Sequence, residues 1–508
     1  MSVLSLTASL AVLMAVFCIL FTLLKPQIYN LFISIFALLV VVVHLIIEGY
    51  SWQFVPLYFV SVVLTVLLLA STERARSEYD SGGKRIFVKV GKLLLALTLV
   101  LAIGLSSLSL FLFPIIHIPK PTGEYLVGTQ TLYFTDTERF ETFTEEPNDH
   151  RRLRVRAWYP IDSNNQNQLA MYWENSNSRS RELTKILGLP AFLFSHLGNI
   201  ETNSHENAAM TSSSGDFPLI LFSHGAVVGY AEQNTPLMEE LASHGYIVFS
   251  IDHSYMGLYS EFPDGSFTTN DPFLPLYTTA SDELDSDQAS IVELQLKNSN
   301  TLAEIYKYSQ ELMAITPIAT EMYENAIKIW SDDQKFIISE AIGLNTAAGQ
   351  FNGKIDESRI GIIGMSMGAF TSFHTFATDT RVTAGVNLDG YSLLQLNHAQ
   401  INKPYMYMDS AQYFLDSNVH SMVVKSLEHS PRYLFKIDSA EHYNFSDVGL
   451  FSYQLFASAE QLGEINPLRM NKVVNRYVTA FFNEQLLGID EPLLSSQSLE
   501  FPEVVLVQ

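Results

Sequence analysis

The sequence predicts an α/β domain built on a mostly parallel sheet, preceded by about four transmembrane helices. Three observations carry this. Four long apolar stretches crowd the first 120 residues, short apolar runs alternate with helix-like segments after them, and the charge changes sign at the same boundary.

The apolar stretches cover residues 4–24, 31–47, 54–70 and 88–115. Each is near the roughly 20 residues that cross a hydrocarbon core as a helix. The first lacks a basic start and a small-residue cleavage site, and further apolar segments follow at once, so it does not read as a removable leader. His44 lies inside the second stretch and reads as a helix-packing histidine. Arg74, Arg76, Lys84 and Arg85 lie between the third and fourth, with Lys89 at the start of the fourth. The positive-inside tendency puts that link in the cytoplasm and, with four spans, everything after Lys120 on the extracytoplasmic side of the cell (inner) membrane.

Residues 1–120 hold 8 Lys and Arg against 4 Asp and Glu, a net of +4, so residues 121–508 carry −27 of the total of −23. So acidic a domain is a poor holder of nucleic acid or any other polyanion. The only cysteine, Cys18, precludes an internal disulfide and leaves no thiol for catalysis after residue 120.

Within residues 121–508, a possibly edge-lying strand is expected at 151–159, ended by Pro160. Further strands are expected at 218–223, 246–251, 359–363, 382–388, 404–408 and 433–437. Their nearly continuous apolar character suits parallel strands covered on both faces. Helix-like segments at 235–244, 369–377 and 472–487 separate or close them. Residues 255–352, turning helical over 291–330, read as an insertion able to cover a pocket mouth.

The strand ending at Ile363 runs into Gly364-Met365-Ser366-Met367-Gly368 and then a helix. Glycines on both sides permit a tight turn that lifts the serine above the sheet edge, beside the amides of a helix N-terminus. A hydroxyl needs a base, and the base an orienting acid. His442 follows the last clear strand and is the expected base. Asp389 and Asp409 each end a strand, and position alone leaves both open as the acid. For the oxyanion, the Met367 amide follows the nucleophile. Phe222-Ser-His-Gly225 opens a second loop, with Ala226 as donor and His224 bracing it. No His-Glu-x-x-His pair appears, so neither metal nor other cofactor is expected.

Several pieces together resemble the platelet-activating factor acetylhydrolase family of the α/β-hydrolase superfamily. They are Gly123-Glu-Tyr-Leu-Val-Gly128, Arg156-Ala-Trp-Tyr-Pro160, Phe222-Ser-His-Gly225, Leu241-Ala-Ser-His-Gly-Tyr-Ile-Val248, Ile355-Asp-Glu-Ser-Arg-Ile360, the serine turn, Asn387-Leu-Asp-Gly390 and Glu441-His-Tyr-Asn-Phe-Ser-Asp447. The likeness covers most of residues 121–490. It implies an α/β-hydrolase fold and a Ser366–Asp389–His442 triad, selecting Asp389 over Asp409. It also implies an oxyanion hole of the Ala226 and Met367 amides, and cleavage of short-acyl phospholipid esters without a metal. Methionine on both sides of Ser366, the long insertion and the N-terminal apolar segment depart from that family's pattern. The alternative is a non-catalytic membrane sensor or scaffold that keeps the fold.

Overall fold

The computed structural model describes residues 28–47, 49–74, 82–213, 215–390, 401–410, 432–457 and 462–507. Three helices come first: α1 (Ile28–Ile47), α2 (Val55–Arg74) and α3 (Gly82–Leu112). Among the described residues no helix is long and apolar enough to cross a membrane, so the expected four spans are not borne out. The first, residues 4–24, lies outside the described residues. The membrane-spanning arrangement and the orientation that depended on four spans therefore have no support from these helices.

The helices pack instead on one another and on the domain that follows. His44 is buried, its Nδ1 3.1 Å from the Tyr58 hydroxyl, which agrees with a packing role. Trp52 donates from Nε1 to the Leu193 carbonyl at 3.2 Å, and Asn199 donates from Nδ2 to the Tyr50 carbonyl at 2.7 Å. Phe113 completes this joint, with its ring centroid 5.4 Å from those of both Trp52 and Phe194. Away from the joint, Phe36, Ile46, Phe59, Leu97, Leu101 and Phe111 are exposed.

An eleven-stranded sheet follows, in the order β13-β12-β11-β10-β9-β5-β6-β2-β1-β4-β3. Its strands are β1 (Leu126–Phe140), β2 (His150–Ile161), β3 (Leu169–Met171), β4 (Glu201–Glu206), β5 (Phe217–Ser223), β6 (Ile247–Asp252), β9 (Ile355–Met365), β10 (Val382–Leu388), β11 (Tyr405–Ser410), β12 (Arg432–Ile437) and β13 (Val504–Leu506). From β6 through β5, β9, β10 and β11 to β12 every neighbouring pair is parallel. The strand expected at an edge, β2, is interior, antiparallel to β6 on one side and to β1 on the other.

Alternation explains the continuous apolar runs. Ile220, Phe222, Ile363 and Met365 face one core layer, with Leu237 and Leu241 of α5 (Thr235–Ser243) and Tyr477 and Phe481 of α12 (Pro467–Leu487). Leu219, Leu221, Ile360 and Ile362 face the other, with Ile337 and Ile338 of α9 (Pro317–Thr346) and Phe373 and Phe376 of α10 (Met367–Thr378). Strands buried on both faces keep apolar side chains at every position. From β5 the chain steps to β6 on one side, and from β9 to β10 on the other. The β5–β9 boundary is thus the switch point, whose carboxyl edge is where open α/β sheets place their ligands.

The insertion forms a hairpin of β7 (Tyr259–Glu261) and β8 (Phe267–Thr269), then α6 (Leu274–Leu284), α7 (Asp287–Lys297), α8 (Leu302–Ile315) and α9. Its Phe273, Ala280, Met322 and Trp330 share one apolar cluster with Val227 and Met367, so it packs over the switch point.

Candidate active site

Strand β9 ends at Met365, and α10 starts at Met367. Ser366 joins them at φ 56°, ψ −123°, a conformation L-residues rarely hold. Such strain costs about 1–3 kcal/mol and persists only where surrounding contacts impose it. Here the Ser366 amide donates to the Leu388 carbonyl at 3.0 Å. The flanking glycines permit close approach: a Cβ on Gly364 would strike the Gly368 backbone, and one on Gly368 would strike the Ser223 carbonyl.

Three expected site residues meet at this edge. His442 Nε2 lies 2.9 Å from Ser366 Oγ, and its Nδ1 lies 2.7 Å from Asp389 Oδ2. Asp389 also accepts from the Ser410 amide at 2.6 Å and the Ser410 hydroxyl at 3.1 Å. With the carboxylate accepting, Nδ1 carries the imidazole proton and Nε2 is left to accept from the serine hydroxyl. The Asp389 side chain is fully buried and that of His442 13% exposed, so the carboxylate is sealed from solvent while the imidazole is not. Asp389 itself has φ 53°, and a Cβ on Gly390 would collide with Ala369 and Ser366. Asp409, the other expected acid, is buried one strand further on. Ser410, which holds Asp389, gave no sequence signal beyond following a strand-end aspartate.

The loop after β5 lies against the serine turn: a Cβ on Gly225 would sit 3.5 Å from Ser366 Cβ. Among the described residues neither the Ala226 nor the Met367 amide donates to a backbone acceptor outside regular elements. The turn in this loop falls not on a glycine but on Val227, at φ 67°. Gly229 instead permits close approach, since a Cβ there would collide with the Gly225 carbonyl. His224 is buried; its Nδ1 donates to the Gly225 carbonyl at 2.7 Å and its Nε2 accepts the His253 amide at 3.2 Å. Burial lowers its pKa, an effect larger than the opposing pull of Asp252. It is a loop brace by position.

Among the described residues no group of three or more His, Cys, Asp or Glu could hold a metal ion. A cavity of about 1020 Å³ lies elsewhere, along β3, β4 and α4 (Ser176–Leu187). It contains none of the expected site residues.

The family model for platelet-activating factor acetylhydrolase, isoform II, matches residues 112–492. The platelet-activating factor acetylhydrolase of Cavia porcellus is 23% identical over 384 residues, covering 74% of this chain and 79% of that protein. That of Canis lupus familiaris is 26% identical over 342 residues, covering 65% and 68%. A probable 1-alkyl-2-acetylglycerophosphocholine esterase of Arthroderma benhamiae is 22% identical over 428 residues, covering 76% and 93%. The solved structure of a ferulic acid esterase from Streptomyces cinnamoneus, 23% identical, superposes with a TM-score of 0.57 over 78% of this chain and all of that one, and shares the fold. Matched over most of its length, with a hydrolase sheet beneath it, the chain belongs to the platelet-activating factor acetylhydrolase, isoform II, family and is a carboxylic ester hydrolase.

Proposed function

We propose that the chain cleaves short-acyl phospholipid esters through an acyl-enzyme on Ser366. As Ser366 Oγ attacks the acyl carbon, His442 Nε2 takes its proton, and Asp389 holds the imidazole in that tautomer. The carbonyl oxygen becomes an oxyanion, met by the amides of Ala226 and Met367. Collapse breaks the ester bond, and His442 returns the proton to the departing alcohol. Water then attacks the acyl-enzyme with His442 again as base, releasing the carboxylic acid and restoring the serine. The pair of hydrogen bonds through His442, at 2.9 and 2.7 Å, is the observation that carries this reading.

The substrate class rests on the relatives, whose names specify platelet-activating factor and 1-alkyl-2-acetylglycerophosphocholine. The exposed apolar faces of α1–α3 support a further part of the proposal, that these helices hold the enzyme in a lipid surface beside its substrate. The insertion, packed over Met367, would cover the bound acyl group.

Phosphatidylcholines with a fixed first chain and a second acyl of two to sixteen carbons test the substrate. Turnover is expected to be highest at the shortest acyl groups. A flat profile, or turnover rising with length, would remove the short-acyl preference while leaving ester hydrolysis in place.

A further inference from the structure

Directly behind the β5 loop lies a second chain of serine, histidine and aspartate. Ser223 Oγ is 3.0 Å from His253 Nε2, and His253 Nδ1 is 2.9 Å from Asp333 Oδ2. We propose that Ser223 and His253 are positioning residues for ester hydrolysis: with Asp333 and Gln334 they fix the β5 loop so that the Ala226 amide meets the oxyanion. This rests on the mechanism proposed above.

The group is not a second nucleophilic site. The side chains of His253 and Asp333 are 0% exposed, and Ser223 is 0% exposed, so no ester reaches them. The Ser223 hydroxyl is already committed, donating to His253 and accepting from Gln334 Nε2 at 2.8 Å. His253 stacks on Trp330 with ring centroids 3.9 Å apart. Burial pushes its pKa down to about 3, against the pull of Asp333, so the imidazole stays neutral and its acceptor nitrogen stays available. Burial also opposes the Asp333 charge, but Arg151 and His253 outweigh it and hold that carboxyl well below its usual range.

Both ends of the network touch the loop. Ser223 is the last residue of β5, and its carbonyl lies against Gly368 of the serine turn. The His253 backbone amide donates to His224, and the Met256 carbonyl accepts from the Val227 amide at 2.8 Å. Asn270 Nδ2 donates to the Val227 carbonyl at 2.5 Å. A β-branched residue at positive φ is held only under such constraint, and Ala226 is its neighbour. Asp333 and Gln334 stand on α9, so this part of the insertion is tied to the sheet. A moving cover would be confined to α6–α8.

The test uses the full chain with Ser223→Ala, and with Gln334→Met as a second variant that keeps the volume but removes the donor to Ser223. A backbone displacement near 1 Å costs about 100-fold in rate. Ser223→Ala is therefore expected to lower kcat about 10- to 100-fold, with KM within about threefold. A trifluoromethyl ketone, whose serine adduct carries the oxyanion, is expected to lose affinity in parallel with kcat. A merely structural role would lower the melting temperature without this split. A folded Ser223→Ala enzyme with kcat within about twofold of wild type, or with its loss in KM alone, overturns the inference. If Ser223→Ala does not fold, Gln334→Met decides by the same criteria. Fluorophosphonate labelling of wild-type Ser366 keeps the two readings distinct. Without labelling the triad mechanism fails and takes this inference with it; with labelling and unchanged kcat, only this inference fails.

Discussion

Ser366–His442–Asp389 and Ser223–His253–Asp333 repeat one bonding order at the same sheet edge. In the first, hydroxyl to Nε2 and Nδ1 to carboxylate measure 2.9 and 2.7 Å; in the second, 3.0 and 2.9 Å. What separates them is surroundings. Ser366 sits on a strained turn beside a helix N-terminus, with a partly exposed histidine. Ser223 ends a regular strand, with a wholly enclosed histidine and an aspartate paired to Arg151 and Arg139. The residue types therefore do not define a nucleophilic site. The histidine beside Ser366 is part-exposed while the one beside Ser223 is enclosed, and that difference separates the set proposed to react from the set proposed to position.

The sharpest way to break the comparison is to remove each hydroxyl. Ser366→Ala is expected to lower kcat by at least about 10⁴-fold, as loss of a nucleophile does, against the far smaller loss expected from Ser223→Ala. Equal losses, read from steady-state turnover of a short-chain ester, would erase the distinction. The acids come next. Asp389→Asn is expected to cost about 10³- to 10⁴-fold in kcat through the wrong imidazole tautomer, and Asp409→Asn less than about tenfold. A larger loss in a folded Asp409→Asn variant would transfer the orienting role to the neighbouring strand.

The smallest expected effect concerns stability near the histidine loop. Burial raises the Asp447 carboxyl to about 7, despite the hydrogen bond from Tyr172 that favours its charge, and raises Glu239 to about 7 as well. A carboxyl with its folded pKa above the unfolded value contributes stability that is whole below about pH 4 and lost as pH rises toward 7. The melting temperature of Asp447→Asn should therefore fall less than that of wild type between pH 5 and 8, by about 1–3 °C. Parallel profiles would show that Asp447 titrates normally.

The parallel strands were legible because burial on both faces leaves continuous apolar runs. Strand β1 was not, because the outer part of its 15 residues is largely exposed and carries Thr135, Thr137 and Glu138. Strands β3 and β13 are three residues long, too short for periodicity to register. Ser366 and His442 stood out through their strand-end contexts. The acid did not, since β10 and β11 both end in aspartate and only spatial pairing separates Asp389 from Asp409. The Ser223 network was invisible for a similar reason: its partners lie 30 and 80 residues apart in the chain. The N-terminal apolar runs suggested spans from length and apolar character, whereas Trp52 and Phe113, which flank the described helices, join them to the segment around Leu193 and Phe194.

The most direct measurement is fluorophosphonate labelling of the full chain, with the modified residue located by peptide mass spectrometry. The account expects label on Ser366 alone, none on Ser223, and none in Ser366→Ala. Label on another serine, or undiminished label in Ser366→Ala, would contradict it.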